Sequence, residues 1–220
     1  MKTIHLLLLF CLTIALGSCQ TNKNNATQEV ISKALENPNL KRAYFASGCF
    51  WCVEAIFESV DGVEESLSGY SGGHTKNPTY EASNTGRTGH AEAVEIYYDP
   101  TIVSFEQLVD VYFGSQNPTQ VNGQGPDNGS QYRSIIFYSN NEEKQIIENK
   151  IKALNAVLSP NKVGSEVMKF ERFWLGEAYH QNYERLHPNQ GYIQAVSIPR
   201  LNAFKAKFPE LLKESKKNAH

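Results

Sequence analysis

Two cysteines two residues apart, Cys49 and Cys52, are the side chains in this sequence best suited to chemistry. A thiolate is a strong nucleophile, and a second thiol beside it can close a disulfide, so CxxC spacing points to redox or metal work. Val53, Ile56, Phe57 and Val60 recur at i, i+3, i+4 and i+7, which predicts a helix over Cys49–Ser59. Cys49 falls at its N-terminus, where unpaired N–H groups and the helix dipole favour an anion and so a thiolate. Gly48 lets the backbone turn sharply into that position. Glu92 is the second candidate. Ala91 to Tyr98 alternates, with Val94, Ile96 and Tyr98 on one face and Ala91, Ala93, Glu95 and Tyr97 on the other. Glu92 lies in the first of these rows. Desolvated there, its carboxyl would keep a proton near neutrality and act as an acid. The competing reading is that Glu92, first in its row, simply reaches solvent.

The elements that must hold these groups follow from the same patterns. Lys41 to Ala46 reads as a strand, Val63 to Tyr70 as another, and Ala91 to Tyr98 as a third. Ser104 with Gln107 forms a capping box before the helix stripe Phe105, Leu108, Val109 and Tyr112. Arg133 to Tyr138 is a strand, and Asn140 caps a charged helix reaching Val157. A shorter strand is expected near Val167 to Phe170, then Phe173-Trp174-Leu175, and a surface helix from Ile198. Two long glycine-rich loops separate them, Ser71 to Gly89 and Gly114 to Gln131, and loops of that length are usually functional. The expectation is one α+β domain over 41–220: a mixed sheet with helices packed on it in two layers.

The first forty residues read differently. Lys2 is a short positive start, Leu6 to Leu16 is apolar, and Leu16-Gly17-Ser18-Cys19 follows. The apolar run is too short for a permanent membrane span, so residues 1–18 read as a signal peptide. Small residues just before a cysteine resemble the bacterial lipoprotein signal, with Cys19 lipidated. The alternative is an ordinary secretory signal with Cys19 merely nearby. Residues 19–40 are rich in Asn, Thr, Gln and Lys and read as a polar tether. Cys11 leaves with the leader and lipid blocks Cys19, so Cys49 and Cys52 remain as the free thiols. The chain carries 21 Lys and Arg against 23 Asp and Glu, which gives no basic excess for nucleic acid.

Three chemistries compete for the CxxC. A structural zinc site needs about four ligands, and no second pair matches the first. A thioredoxin-like dithiol has this spacing at a helix start, but it offers protein disulfides a flat surface, whereas Phe50 and Trp51 suggest an apolar pocket for a small group. The third is a peroxidatic or reductase thiol that meets an oxidised substrate and is resolved by the second cysteine.

A longer series of motifs now bears on the choice. Gly48-Cys49-Phe50-Trp51 with Val53-Glu54-Ala55 is joined by Gly69-Tyr70-Ser71-Gly72-Gly73 and Asn77-Pro78-Thr79-Tyr80. Thr88 to Val94, Tyr98-Asp99-Pro100, Gln124-Gly125, Asp127, Gly129 to Ser134 and Tyr179-His180-Gln181 continue it. In this order the segments resemble the peptide methionine sulfoxide reductase A family, over roughly Ala43 to Gln181. The resemblance implies a ferredoxin-like core and reduction of the S epimer of methionine sulfoxide. It implies Cys49 as nucleophile, Phe50 and Trp51 as the pocket for the methyl group, and Glu92, Tyr80 and Tyr132 as partners of the sulfoxide oxygen. Glu92 would supply the proton and Asp127 would organise the site. His74, His90 and His180 read as structural.

One departure matters. Many relatives place Gly where this chain has Cys52 and resolve with a cysteine near the C-terminus, yet the tail to His220 has none. Cys52 is therefore expected to attack the Cys49 sulfenic acid and leave a Cys49–Cys52 disulfide. The scheme needs no metal or organic cofactor. It needs an exported thioredoxin-like donor, or a membrane relay, for a monomeric lipoprotein facing the periplasm or cell exterior of a bacterium and repairing exported proteins or peptides. Two other functions remain open: a membrane-tethered thiol–disulfide oxidoreductase, and a non-catalytic binding domain without redox chemistry.

Overall fold

The computed structural model describes residues 37–158 and 160–214. The expected leader, Cys19 and most of the tether lie outside them. Within the compact unit Asn39–His220, eight strands and six α-helices are described. They are β1 Lys41–Ala46, α1 Phe50–Glu58, β2 Val63–Ser71, α2 Tyr80–Asn84, β3 Ala91–Tyr98, α3 Phe105–Gly114, β4 Gly123–Gln124 and β5 Asp127–Asn128. β6 Ile135–Tyr138, α4 Asn141–Val157, β7 Glu166–Lys169, β8 Phe173–Leu175, α5 Tyr183–Leu186 and α6 Ile198–Lys207 complete the order.

Six strands make one mixed sheet in the order β7-β6-β1-β3-β2-β8. β6 and β7 pair in parallel, and every other neighbour is antiparallel. β3 is central and every residue in it is buried, which matches its β-branched and aromatic alternation. Its two faces separate as the alternation requires. Val94, Ile96 and Tyr98 join Phe45 beneath the helices, while Ala91 and Ala93 join Tyr44, Ala46, Ile135 and Phe137 on the other face. Helices α1, α3, α4 and α6 all bury apolar residues in the first cluster, so the helices form one layer on one face. Its centre is aromatic: Phe45 stacks on Phe57 at 5.1 Å and on Tyr112 at 5.2 Å. Phe170 and Phe173 cover the opposite face, where Phe170 stacks on Tyr44 at 3.6 Å.

Two local expectations change. The loop from Ser71 holds α2, capped by Thr79, whose Oγ1 accepts from the Ala82 amide at 3.2 Å. The loop from Gly114 holds the β4–β5 hairpin and a 3₁₀ turn, Ser130–Tyr132. The tail helix packs on the surface as expected, with Phe204 as its one buried residue. α6 follows a π-helical turn, Ile193–Ser197, and buries Phe204 in the core, because its apolar face meets α1.

Candidate active site

The site is built where β1 hands the chain to α1. Gly48 makes the turn at φ +77, and a Cβ there would lie 2.6 Å from Gln124 Cβ, so only glycine fits. Cys49 is the N-cap residue of α1, and its side chain makes no capping hydrogen bond. The first amide of the helix, Phe50 N–H, donates instead to Glu92 Oε2 at 3.0 Å. A carboxyl from the start of β3 therefore closes the helix end that carries the thiol. Glu92 is 2% exposed, and burial pushes its pKa up to about 8 despite that amide. Of its two sequence readings, the desolvated one describes this side chain.

Phe50 and Trp51 wall one side. Phe50 is buried, 6.1 Å from the Trp51 ring and 6.3 Å from the Tyr80 ring. Trp51 stacks on Tyr183 at 3.8 Å, and its Nε1 donates to His180 Nδ1 at 3.1 Å. An indole N–H can only donate, so His180 accepts at Nδ1 and is the Nε2–H tautomer. Burial holds that ring neutral, with a pKa lowered to about 4. Tyr80 opens α2, where its amide donates to Glu177 Oε1 at 2.9 Å, and Tyr132 closes the 3₁₀ turn. Burial raises both phenols first, and Glu92 and Cys49 act on each electrostatically, so two protonated hydroxyls converge beside thiol and acid.

Asp127 approaches from β5 but reaches the centre through a residue the sequence did not single out. Tyr192 donates to Asp127 Oδ2 at 2.6 Å, and its hydroxyl lies 3.8 Å from Cys52 Sγ. Burial, then the two sulfurs and Asp127, raise the Tyr192 phenol, so it stays protonated. Tyr192, Arg200 and His180 are the residues that sequence reasoning missed or left as structural. Tyr192 and His180 meet α1, and Arg200 meets Ser47 just before it, each from more than 120 positions away, and no local pattern marks them.

Geometry corrects one electrostatic expectation. A helix N-terminus favours a Cys49 thiolate, but Cys49 is 6% exposed, and burial pushes its thiol well above the ordinary value, with Cys52 and Glu92 adding to the shift. Cys52 moves the other way, to about 7. The hydrogen bond from Cys49 leads, and Arg200, Ser197 and Tyr192 also act against burial. Desolvation is the larger effect at Cys49, and of the two thiols Cys52 is the one shifted toward the thiolate. Both cysteines are free thiols.

Phe50, Trp51, Tyr80, Glu92 and Tyr132 thus gather at Cys49, with Cys52 and Asp127 joined to it through the Tyr192 side. Among the described residues, no group of three or more His, Cys, Asp and Glu side chains could hold a metal ion. This arrangement brings a buried acid, two phenols and a dithiol together beside the rings of Phe50 and Trp51.

Comparison with known proteins agrees with this geometry. Residues 41–212 match the family model described as peptide methionine sulfoxide reductase. The peptide methionine sulfoxide reductase MsrA of Pasteurella multocida is 45% identical over 173 residues, covering 79% of this chain and 99% of that protein. The same-named protein of Polynucleobacter asymbioticus is 42% identical over 185 residues, 84% of this chain and 96% of its own length. Among solved structures, methionine sulfoxide reductase A of Corynebacterium diphtheriae superposes with a TM-score of 0.64 at 33% identity, over 70% of this chain and 78% of that one. The chain belongs to the peptide methionine sulfoxide reductase family.

Proposed function

We propose that this chain reduces the S epimer of methionine sulfoxide, free and in peptides, by an oxygen transfer to Cys49 followed by a disulfide with Cys52. The observation that carries the reading is Glu92, a buried carboxyl raised to about 8 and bound to the helix end that bears Cys49. Oxide is a poor leaving group, so the sulfoxide oxygen must be protonated as sulfur is attacked. The methyl group sits against Phe50 and Trp51, and the oxygen faces Glu92, Tyr80 and Tyr132. Cys49 attacks sulfur, Glu92 lends its proton to oxygen, and the Cys49 proton restores it. Sulfoxide and thiol become sulfide and sulfenic acid, which balances. Cys52 then attacks Cys49 sulfur, the S–O bond breaks and water leaves. Asp127 acts at one remove, by holding Tyr192 beside Cys52.

A thioredoxin-like dithiol is the donor that reopens the disulfide. The β-α-β-β-α-β order of β1, α1, β2, β3, α3 and β6, with these strands adjacent as β6-β1-β3-β2, supports the ferredoxin-like core. Leu16-Gly17-Ser18-Cys19 supports an exported lipoprotein held at a membrane by its lipid. The competing oxidoreductase reading fits less well, because both cysteines are buried. The test supplies the domain from Gln20, with dithiothreitol, separately with the S and R epimers of a blocked methionine sulfoxide. Methionine from the S epimer alone, lost in Cys49→Ser, is expected. Methionine from both epimers, or from Cys49→Ser, would overturn the assignment.

A further inference from the structure

Arg200 is held in an unusual way for a cation. Its Nε donates to the Ser115 carbonyl at 2.8 Å, Nη1 to the Ser47 carbonyl at 2.9 Å and Nη2 to Ser47 Oγ at 2.8 Å. All three acceptors are neutral, and no salt bridge to Arg200 occurs among the described residues. Three bonds fix the planar fork, so its position is set while no described carboxylate pairs with its charge. It lines, together with Cys52, a groove of about 730 Å³. Cys49, which interacts with Cys52, is also the thiol that Glu92, Tyr80 and Tyr132 act on.

The polar and charged groups facing Cys52 come from several elements. Cys49 is the N-cap of α1, Tyr192 precedes the π-helical turn and Ser197 ends it, Arg200 follows on α6, and Glu92 is on β3. Asp127 is tied to Tyr192, and Lys207, also in the groove, donates to the Gly114 carbonyl at 3.5 Å. Glu92 keeps its proton near neutrality, so Arg200 is the fixed charge beside this sulfur that favours an anion.

We propose that Arg200 is the counter-charge of the Cys52 thiolate, a positioning residue that acts when the Cys49–Cys52 disulfide closes and reopens and not when methionine forms. The inference rests on the reading of Cys52 as the resolving thiol. On closing, the Cys52 thiolate gives its electron pair to Cys49 sulfur, and hydroxide leaves and takes up a proton as water. On reopening, the dithiol donor is oxidised and the two sulfurs of the pair are reduced, one electron pair returning to Cys52 beside Arg200. A cation there makes Cys52 available as thiolate for the first step and a better leaving group in the second.

The experiment separates the two cysteines. The domain from Gln20 contains the whole compact unit, and a relative of this family consists almost wholly of the matching region, so the part tested folds by itself. In a Cys49→Ser background Cys52 is its one remaining thiol, and thiolate absorbance at 240 nm against pH reads its titration without requiring access. Arg200→Gln should raise the midpoint by roughly one pH unit, Arg200→Lys should recover most of that shift, and Ser47→Ala should leave it in place. With both cysteines present, Arg200→Gln should slow multiple turnover with dithiothreitol about fivefold at pH 7, the fall in thiolate fraction for a one-unit shift from about 7, and leave the single-turnover yield and rate of methionine unchanged. An unmoved midpoint would overturn the proposal. So would equal losses in single and multiple turnover, which would mark Arg200 as a prop for Ser47. If the unmodified domain forms no methionine, the functional reading fails, while the titration still decides whether Arg200 acts on Cys52.

Discussion

Replacing Glu92 by glutamine should weaken the enzyme and strengthen the fold. The carboxyl has a folded pKa of about 8 against 4.5 when exposed. The folded state therefore holds this proton more tightly than the unfolded chain does. A raised acid of this kind has no effect on stability below pH 4.5, and its destabilising effect grows as pH rises toward 8. At 1.36 kcal/mol per unit, the destabilisation is about 3 kcal/mol at pH 7 and about 5 kcal/mol above pH 8. Glutamine never ionises, and its carbonyl can still accept from Phe50 N–H. One amide left without a partner in the pocket costs about 1 kcal/mol, so Glu92→Gln should gain roughly 2 kcal/mol at pH 7, or about 6 °C in Tm. Urea unfolding at pH 4.5, 6, 7 and 8 should show the gain appearing and growing with pH. Single-turnover methionine formation should fall by about 10² to 10⁴, the range for a lost general acid. An unchanged rate, or a stability difference that does not vary with pH, would refute the reasoning.

Other perturbations test separate parts of the account. Cys52→Ser should form one methionine per protein and then stop with Cys49 as a sulfenic acid that dimedone captures; normal multiple turnover in this variant would remove Cys52 from the scheme. Gly48→Ala combines a left-handed φ of +77 with a Cβ 2.6 Å from Gln124 Cβ, so it should lose about 2 kcal/mol of stability by denaturant unfolding and most activity. Phe45→Ala empties the stack between Phe57 and Tyr112 and should lower unfolding stability by about 3–5 kcal/mol, with a loss under 1 kcal/mol contradicting its central place.

The strands and helices that the periodicity marked are those with enough residues to show a period. β3 runs over Ala91–Tyr98 as the alternation predicts, and Ser104 and Gln107 form the expected capping box. Helix α2 has five residues, too few for its period, and glycine-rich sequence surrounds it, whereas the apolar run Phe173-Trp174-Leu175 marked the place of β8. The dithiol, the buried acid and the two aromatic residues beside it were legible because each sits inside a local pattern. Tyr192, His180 and Arg200 were not, because their roles exist only once the C-terminal segment folds across α1. The Cys49 titration was misjudged for the same reason. A helix dipole can be read from a local sequence, but the desolvation that outweighs it comes from distant chain.

The central claim is that one S-sulfoxide consumes both thiols of the pair and returns one methionine. The direct measurement mixes the reduced domain from Gln20 with one equivalent of the S epimer of a blocked methionine sulfoxide, then quenches with an alkylating agent. Intact mass and peptide mapping are read beside the methionine yield. The account predicts one methionine, a protein lighter by two hydrogens, no alkylated cysteine and a peptide carrying a Cys49–Cys52 disulfide. Two alkylated thiols with no methionine, or one methionine with Cys52 still alkylated, would contradict it.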